Sequence, residues 1–382
     1  MAERARRPWV DALTGQVLGL VAAFLFAGVV GGAIIAAYGE SPLRVYGVII
    51  DFSTARFQDV ARVLENATPL IFSGLAVAVA FRAGMFNIGV EGQYYVGMIT
   101  ATIAAVFFDL PGVLHLIVVI LFAALGGMAW AAIPAILKVK TGAHEVVTTI
   151  MMNGIAISLV GWALNNLLRT TDVGLVDLRS DRFPESAVMP HIGDSLGLSK
   201  ETIPNSVNLT WLFPLALVAC VAVWFLLSRT RLGYEARATG LSPGSAEAGG
   251  VSIGGVQLKA FLISGALAGF VGLNHLIGDV GFLGINYETT LGFTGIGVAF
   301  LGRNHPIGIV LAAILVGMIA RGQDGVAIIT DLPREILIIL EGLLIMSVVV
   351  AYEVVRRVLL RRRQRVVRAE EEMPGEAASA PA

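Results

Sequence analysis

Charge is scarce in this chain. Only 14% of its 382 residues are Asp, Glu, Lys or Arg, 56% are hydrophobic, and the mean hydropathy is +0.79. A soluble domain carries roughly 25% charged residues, so a water-exposed globule is excluded as the ordinary reading. Cysteine is almost absent. The single Cys220 forms no intramolecular disulfide, and its apolar surroundings mark it as a small buried hydrophobe. Five histidines scattered along the chain make no metal-ligand set with it, so neither metal nor cofactor is expected. The GxxxxGK[ST] loop that cradles nucleotide phosphates is missing, as are HExxH and CxxC. The chain is therefore not expected to hydrolyse ATP or to be an enzyme.

Long apolar runs fill the space that charge leaves. About 20 apolar residues suffice to cross a bilayer. The pattern predicts ten spans, near 16–37, 67–82, 87–108, 112–137, 146–168, 209–228, 257–278, 290–302, 306–320 and 334–355. The expected fold is all-α and polytopic, a transmembrane domain over 1–368 with a low-complexity, disordered tail at 369–382. The run 16–37 is too long for a signal-peptide core and reads as a retained first helix.

Lys and Arg set the expected topology. With Arg4, Arg6 and Arg7 inside, ten spans return the C-terminus to the cytoplasm. Arg356, Arg357, Arg361, Arg362, Arg363, Arg365 and Arg368 then lie on the same side, as do Lys138, Lys140, Arg229, Arg231 and Arg237. The loop 169–208, richer in Asp and Glu than in Lys and Arg, falls outside. A multi-pass protein of the cytoplasmic (inner) membrane follows, with lipid as its surroundings and no nucleic-acid partner.

Five spans precede residue 209 and five follow it, so the halves, about 16–168 and 209–355, are expected to form an inverted repeat. Each half is interrupted at a matching place. Phe81-Arg82-Ala83-Gly84-Met85-Phe86-Asn87-Ile88-Gly89-Val90-Glu91-Gly92-Gln93 separates two apolar runs, and a Gly-rich polar stretch over 279–297 is its counterpart. Lipid cannot satisfy broken backbone, so such stretches survive only packed in protein or beside water. Paired interruptions point to a midplane transport site. Candidate lining residues are Phe86, Asn87, Glu91 and Gln93 in the first break and Asn286, Glu288, Phe293 and Thr294 in the second. Asn87 and Gln93 suit a polar ligand or the broken backbone equally. Thr149 and Asn153, one helical turn apart, suit a pathway or helix–helix bonding. Arg82 and Glu91 either pair, orient the lining, or lie near the interface.

The cytoplasmic stretch 237–250 holds Pro243 at a helix-opening position and several small residues. It reads as a short helix for docking into a partner's groove, or as a solvated connector.

Four strings, Phe81–Gln93, Thr141–Asn153, Arg237–Gly250 and Gly292–Pro306, occur in order and together resemble the permease subunits of ATP-binding-cassette importers for nucleosides. That superfamily includes ribose and branched-chain amino acid permeases, and the resemblance runs over roughly 60–350. It implies a second permease subunit, commonly a different one, together with cytoplasmic ATPase subunits and an extracytoplasmic substrate-binding lipoprotein. It places the ATPase-coupling helix at Arg237, Gly240, Pro243, Ser245, Glu247 and Gly249. A ribose-type sugar permease shares this pattern. An ion-coupled secondary transporter would instead use embedded carboxylates, for which Glu91, Asp279, Glu288 and Glu341 are candidates.

Overall fold

The computed structural model describes residues 25–170, 178–199, 204, 207–333 and 335–347, with residues 350, 354 and 357. The tail 369–382 and the first residues of the expected span 16–37 lie outside the described residues. Among the described residues the secondary structure is helical, with two isolated β-bridges and no strand.

The helices are α1 (Leu25–Ala37), α2 (Pro42–Thr54), α3 (Phe57–Arg82), α4 (Val90–Phe107), α5 (Gly112–Thr141), α6 (Glu145–Asn166), α7 (Ile192–Ser195), α8 (Leu212–Arg229), α9 (Arg231–Leu241), α10 (Pro243–Ala248), α11 (Ile253–Gly269), α12 (Leu291–Leu301), α13 (Pro306–Ile329) and α14 (335–347). Past α11, the segment Asn274–Val280 winds as a π-helix. Residues 47–328 form one compact unit, and the chain on either side of them forms another.

Among the described residues six helical spans are long and apolar enough to cross a membrane: α3, α5, α6, α8, α13 and the stretch Ile253–Val280. A seventh is added if α1 and α2, bent by 114° at their junction, count as one. Ten are not reached among the described residues, and the expected span 334–355, like 16–37, lies partly outside them. The expected span 290–302 is the 11-residue α12, about 16 Å long at 1.5 Å per residue, too short for a hydrocarbon core of about 30 Å. The expected 87–108 is α4, whose first turn carries Glu91 and Gln93. The expected 67–82 is the end of a helix that starts ten residues earlier, at Phe57.

Within the unit 47–328, α3 is central and almost wholly buried beyond its first two turns. It packs on α11 and α12, while α5 packs on α4 and α11. Close approach rests on small residues. A Cβ on Gly269 would stand 2.0 Å from the Ala123 carbonyl oxygen, and one on Gly127 2.3 Å from that of Gly265. Near the start of α3 a buried ion pair, Arg321 to Asp59 at 2.9 Å, ties α3 to α13.

Candidate substrate pathway and coupling surface

The first break begins where α3 stops. Gly84 adopts φ +73°, a left-handed conformation that costs little only without a Cβ. Its N–H donates to Phe81 O (3.0 Å) and that of Met85 to Ala80 O (3.1 Å), a Schellman closure sealed by burial of Met85 with Ala80. Arg82, the last helical residue, donates through Nη2 to the Asn304 carbonyl (3.0 Å) in the turn between α12 and α13. No ion pair joins it to Glu91 among the described residues.

Side chains supply the bonds that the broken backbone lacks. Asn87, fully buried, exchanges two bonds with Gln93, each 2.9 Å, accepts from Gly89 N–H and donates to Ser264 Oγ. Asn153 of α6 accepts from Gly92 N–H (2.9 Å) and donates to the Ile88 carbonyl (3.0 Å). Thr149, its neighbour one turn back, bonds its own helix at Glu145 O. The helix opens at His144, whose Nδ1 accepts from Val146 N–H, while Gly142 at φ +74° ends α5.

Glu91 is 3% exposed and joins the two breaks. Its Oε1 accepts from the hydroxyls of Tyr94 (3.0 Å) and Tyr95 (2.5 Å), at i+3 and i+4 on α4, and from Thr290 N–H (2.6 Å). Its Oε2 accepts from Gly292 N–H at 2.8 Å. A carboxylate offers acceptors only, and the starts of both α4 and α12 present the positive ends of their dipoles to it. Thr290 has φ +73°. For a β-branched residue this is a genuine outlier, costing roughly 1–3 kcal/mol, and it persists only where the surroundings hold it. A Cβ on Gly292 would fall 2.5 Å from Glu91 N, so only glycine permits this approach.

The remaining candidates stand differently. Asn286, Glu288 and Phe293 are exposed, and Phe86 and Thr294 half-buried. Phe86 lies in a cluster with Phe81 and Phe300. A second aromatic ladder, Tyr94–Tyr95–Tyr287, with centroids 4.5 and 5.0 Å apart, was not anticipated from the sequence. The helical spacing of Glu91, Tyr94 and Tyr95 is its only sequence signal.

Both loop systems clasp the breaks. The stretch 178–189, expected as a plain external loop, is stitched to the entry of the second break. Ser180 N–H donates to Leu283 O (2.8 Å), Phe183 N–H to Gly281 O (2.8 Å) and Met189 N–H to Ile277 O (2.8 Å), while the Arg179 guanidinium lies 4.8 Å over the Phe282 ring. Opposite, 237–250 folds as the end of α9 and as α10, with Pro243 in the opening turn of α10. Gly240 touches the first break; a Cβ there would stand 2.4 Å from Arg82 O and 3.1 Å from Gly84 N. Ser245, Glu247 and Gly249 are exposed, and Arg237 is half-buried. Gly240–Gly244 has the form GxSxG, but it joins two helices rather than a strand to a helix, and Ser242 Oγ donates to Ser245 Oγ.

Residues 60–349 match the family described as the permease component of the branched-chain amino acid transport system. The chain belongs to this family. It is a multi-pass membrane protein of the permease class. It is 33% identical over 343 residues to the guanosine ABC transporter permease protein NupP of Bacillus subtilis, covering 90% of this chain and 93% of the relative. The nucleoside ABC transporter permease protein NupB of Lactococcus lactis is 29% identical, with 89% and 92% covered. The glucose ABC transporter permease protein TsgB13 of Haloferax volcanii is 32% identical, with 84% and 83% covered. NupQ, a further guanosine permease protein of that Bacillus, matches at 27% over 68% of this chain.

Proposed function

We propose that this chain is one permease subunit of an ATP-driven nucleoside importer in the cytoplasmic membrane, with ATP hydrolysed by a separate subunit. The observation that carries the reading is the contact of Gly240 with the first break, because it puts the proposed ATPase-docking helix directly against the candidate pathway. Similarity to both NupP and NupQ supports pairing with a second, different permease. A nucleoside cargo is supported by the guanosine and nucleoside relatives, and by aromatic and amide side chains at the breaks suited to a planar base and ribose hydroxyls. The glucose relative keeps a sugar as the rival cargo.

Substrate meets Asn286, Glu288, Phe293, Thr294 and Phe86, while Asn87, Glu91 and Gln93 shape the break behind them. An extracytoplasmic binding lipoprotein delivers the cargo to the side of 178–199, and both termini face the cytoplasm. Ion coupling is disfavoured because Glu91 already receives four donors and Asp279 accepts from Asn208 Nδ2.

Gly249 offers a clean test of docking, since the nearest atoms to a Cβ there are the Ala246 and Ser245 carbonyl oxygens of its own short helix, at 3.3 and 3.5 Å. In the reconstituted complex, guanosine-loaded lipoprotein is expected to stimulate ATP hydrolysis, and glucose-loaded lipoprotein is not. Gly249→Trp is expected to abolish that stimulation with the permease pair still assembled. Full stimulation in Gly249→Trp would remove the docking role.

A further inference from the structure

Four contacts connect the loops and breaks of the unit 47–328. The outer loop binds the second break at Ser180–Leu283. The second break leads into α12, whose first amides donate to Glu91. Glu91 lies within the first break, in the opening turn of α4. The first break meets α9 at Gly84 and Gly240. Arg82, at the head of that break, also holds the turn that follows α12.

We infer that Glu91 is the positioning residue that locks the two broken segments into one moving body, so that a displacement of α9–α10 reaches the outer loop. The inference rests on reading the chain as an ATP-driven permease. The charge is required as well as the shape. Four donors converge on the carboxylate, two of them backbone amides at the start of α12. Glutamine has one acceptor oxygen and turns an NH2 toward a donor. No other side chain accepts from Thr290 N–H or Gly292 N–H among the described bonds, and the left-handed Thr290 is held at the same point. Without Glu91 the Tyr94 hydroxyl still reaches the Glu288 carbonyl (2.8 Å) and Ser73 Oγ the Leu291 carbonyl (3.0 Å), but both first amides of α12 lose their acceptor and the charged link between the breaks is gone.

The test uses the whole complex in lipid nanodiscs and proteoliposomes. Hydrogen exchange of the segment 286–294 is measured together with the number of guanosine molecules moved per ATP hydrolysed. Glu91→Gln is expected to speed exchange of the Thr290 and Gly292 amides by at least about tenfold, the scale of a lost hydrogen bond to a charged group. Guanosine moved per ATP is expected to fall by at least about tenfold as well. A merely structural defect lowers transport and hydrolysis together and leaves their ratio unchanged. A wild-type ratio in Glu91→Gln overturns the inference.

If that variant does not assemble, the wild-type complex decides. The two amides are expected to stay equally protected in the nucleotide-free state and in the state trapped with ATP and vanadate, because the joint moves intact. Deprotection in either state overturns the inference. The exchange measurement needs no cargo, so a complex that fails to move guanosine discredits the nucleoside reading and leaves the joint to be judged on exchange alone.

Discussion

Glu91, Asn87 and Asn153 divide the labour at the first break in a way that separates holding from binding. Asn153 satisfies Gly92 N–H and the Ile88 carbonyl. Asn153→Ala leaves both backbone groups buried without those partners, and is expected to cost about 1–3 kcal/mol of stability. Asn286 is exposed at the second break. Asn286→Ala is expected to leave thermal stability unchanged and to weaken apparent nucleoside affinity about two- to tenfold. Melting curves and uptake titrations of the two variants check this, and the opposite assignment would place the pathway at the first break. The importance of Glu91 was legible as a charge stranded among glycines, and its tyrosines were legible at i+3 and i+4. Its partners Thr290 and Gly292, 199 and 201 positions away, were not, because no local pattern specifies an acceptor at that separation.

At the scale of elements, the breaks were readable because glycines and polar side chains inside apolar runs have no place in lipid. Helix lengths were less so. Apolarity marks α12 as well as it marks α13, yet α12 is cut short by the polar stretch before Thr290 and the turn after Leu301. The stitching of 178–189 onto 277–284 had no sequence signal either, since its bonds are mainly between backbone groups and any residue type can make them. It bears on labelling. Ser180 is buried and accepts from Leu283 N–H, whereas Asp194 and Ser245 are exposed on the two loop systems. A cysteine at Asp194 is expected to react with an impermeant maleimide in intact cells and one at Ser245 only after permeabilisation. The native Cys220 is buried in α8 and adds little background. The reverse pattern would turn the proposed orientation over.

For the whole molecule, composition alone placed the chain in a membrane, and the absence of a phosphate-binding loop separated transport from energy supply. Membership of a permease family over residues 60–349 agrees with the membrane placement. Span number was harder to read than placement, since among the described residues the half-length α12 counts as a crossing in an apolar profile. Cargo movement through this permease is proposed to be driven by ATP in a partner, with a nucleoside as the cargo. Uptake of labelled guanosine into proteoliposomes holding the complete complex tests it most directly. Accumulation is expected with ATP and loaded binding lipoprotein, to be unchanged by collapsing proton and sodium gradients, and to be unaffected by excess glucose. Accumulation without ATP under an ion gradient, or uptake of glucose in place of guanosine, would contradict it.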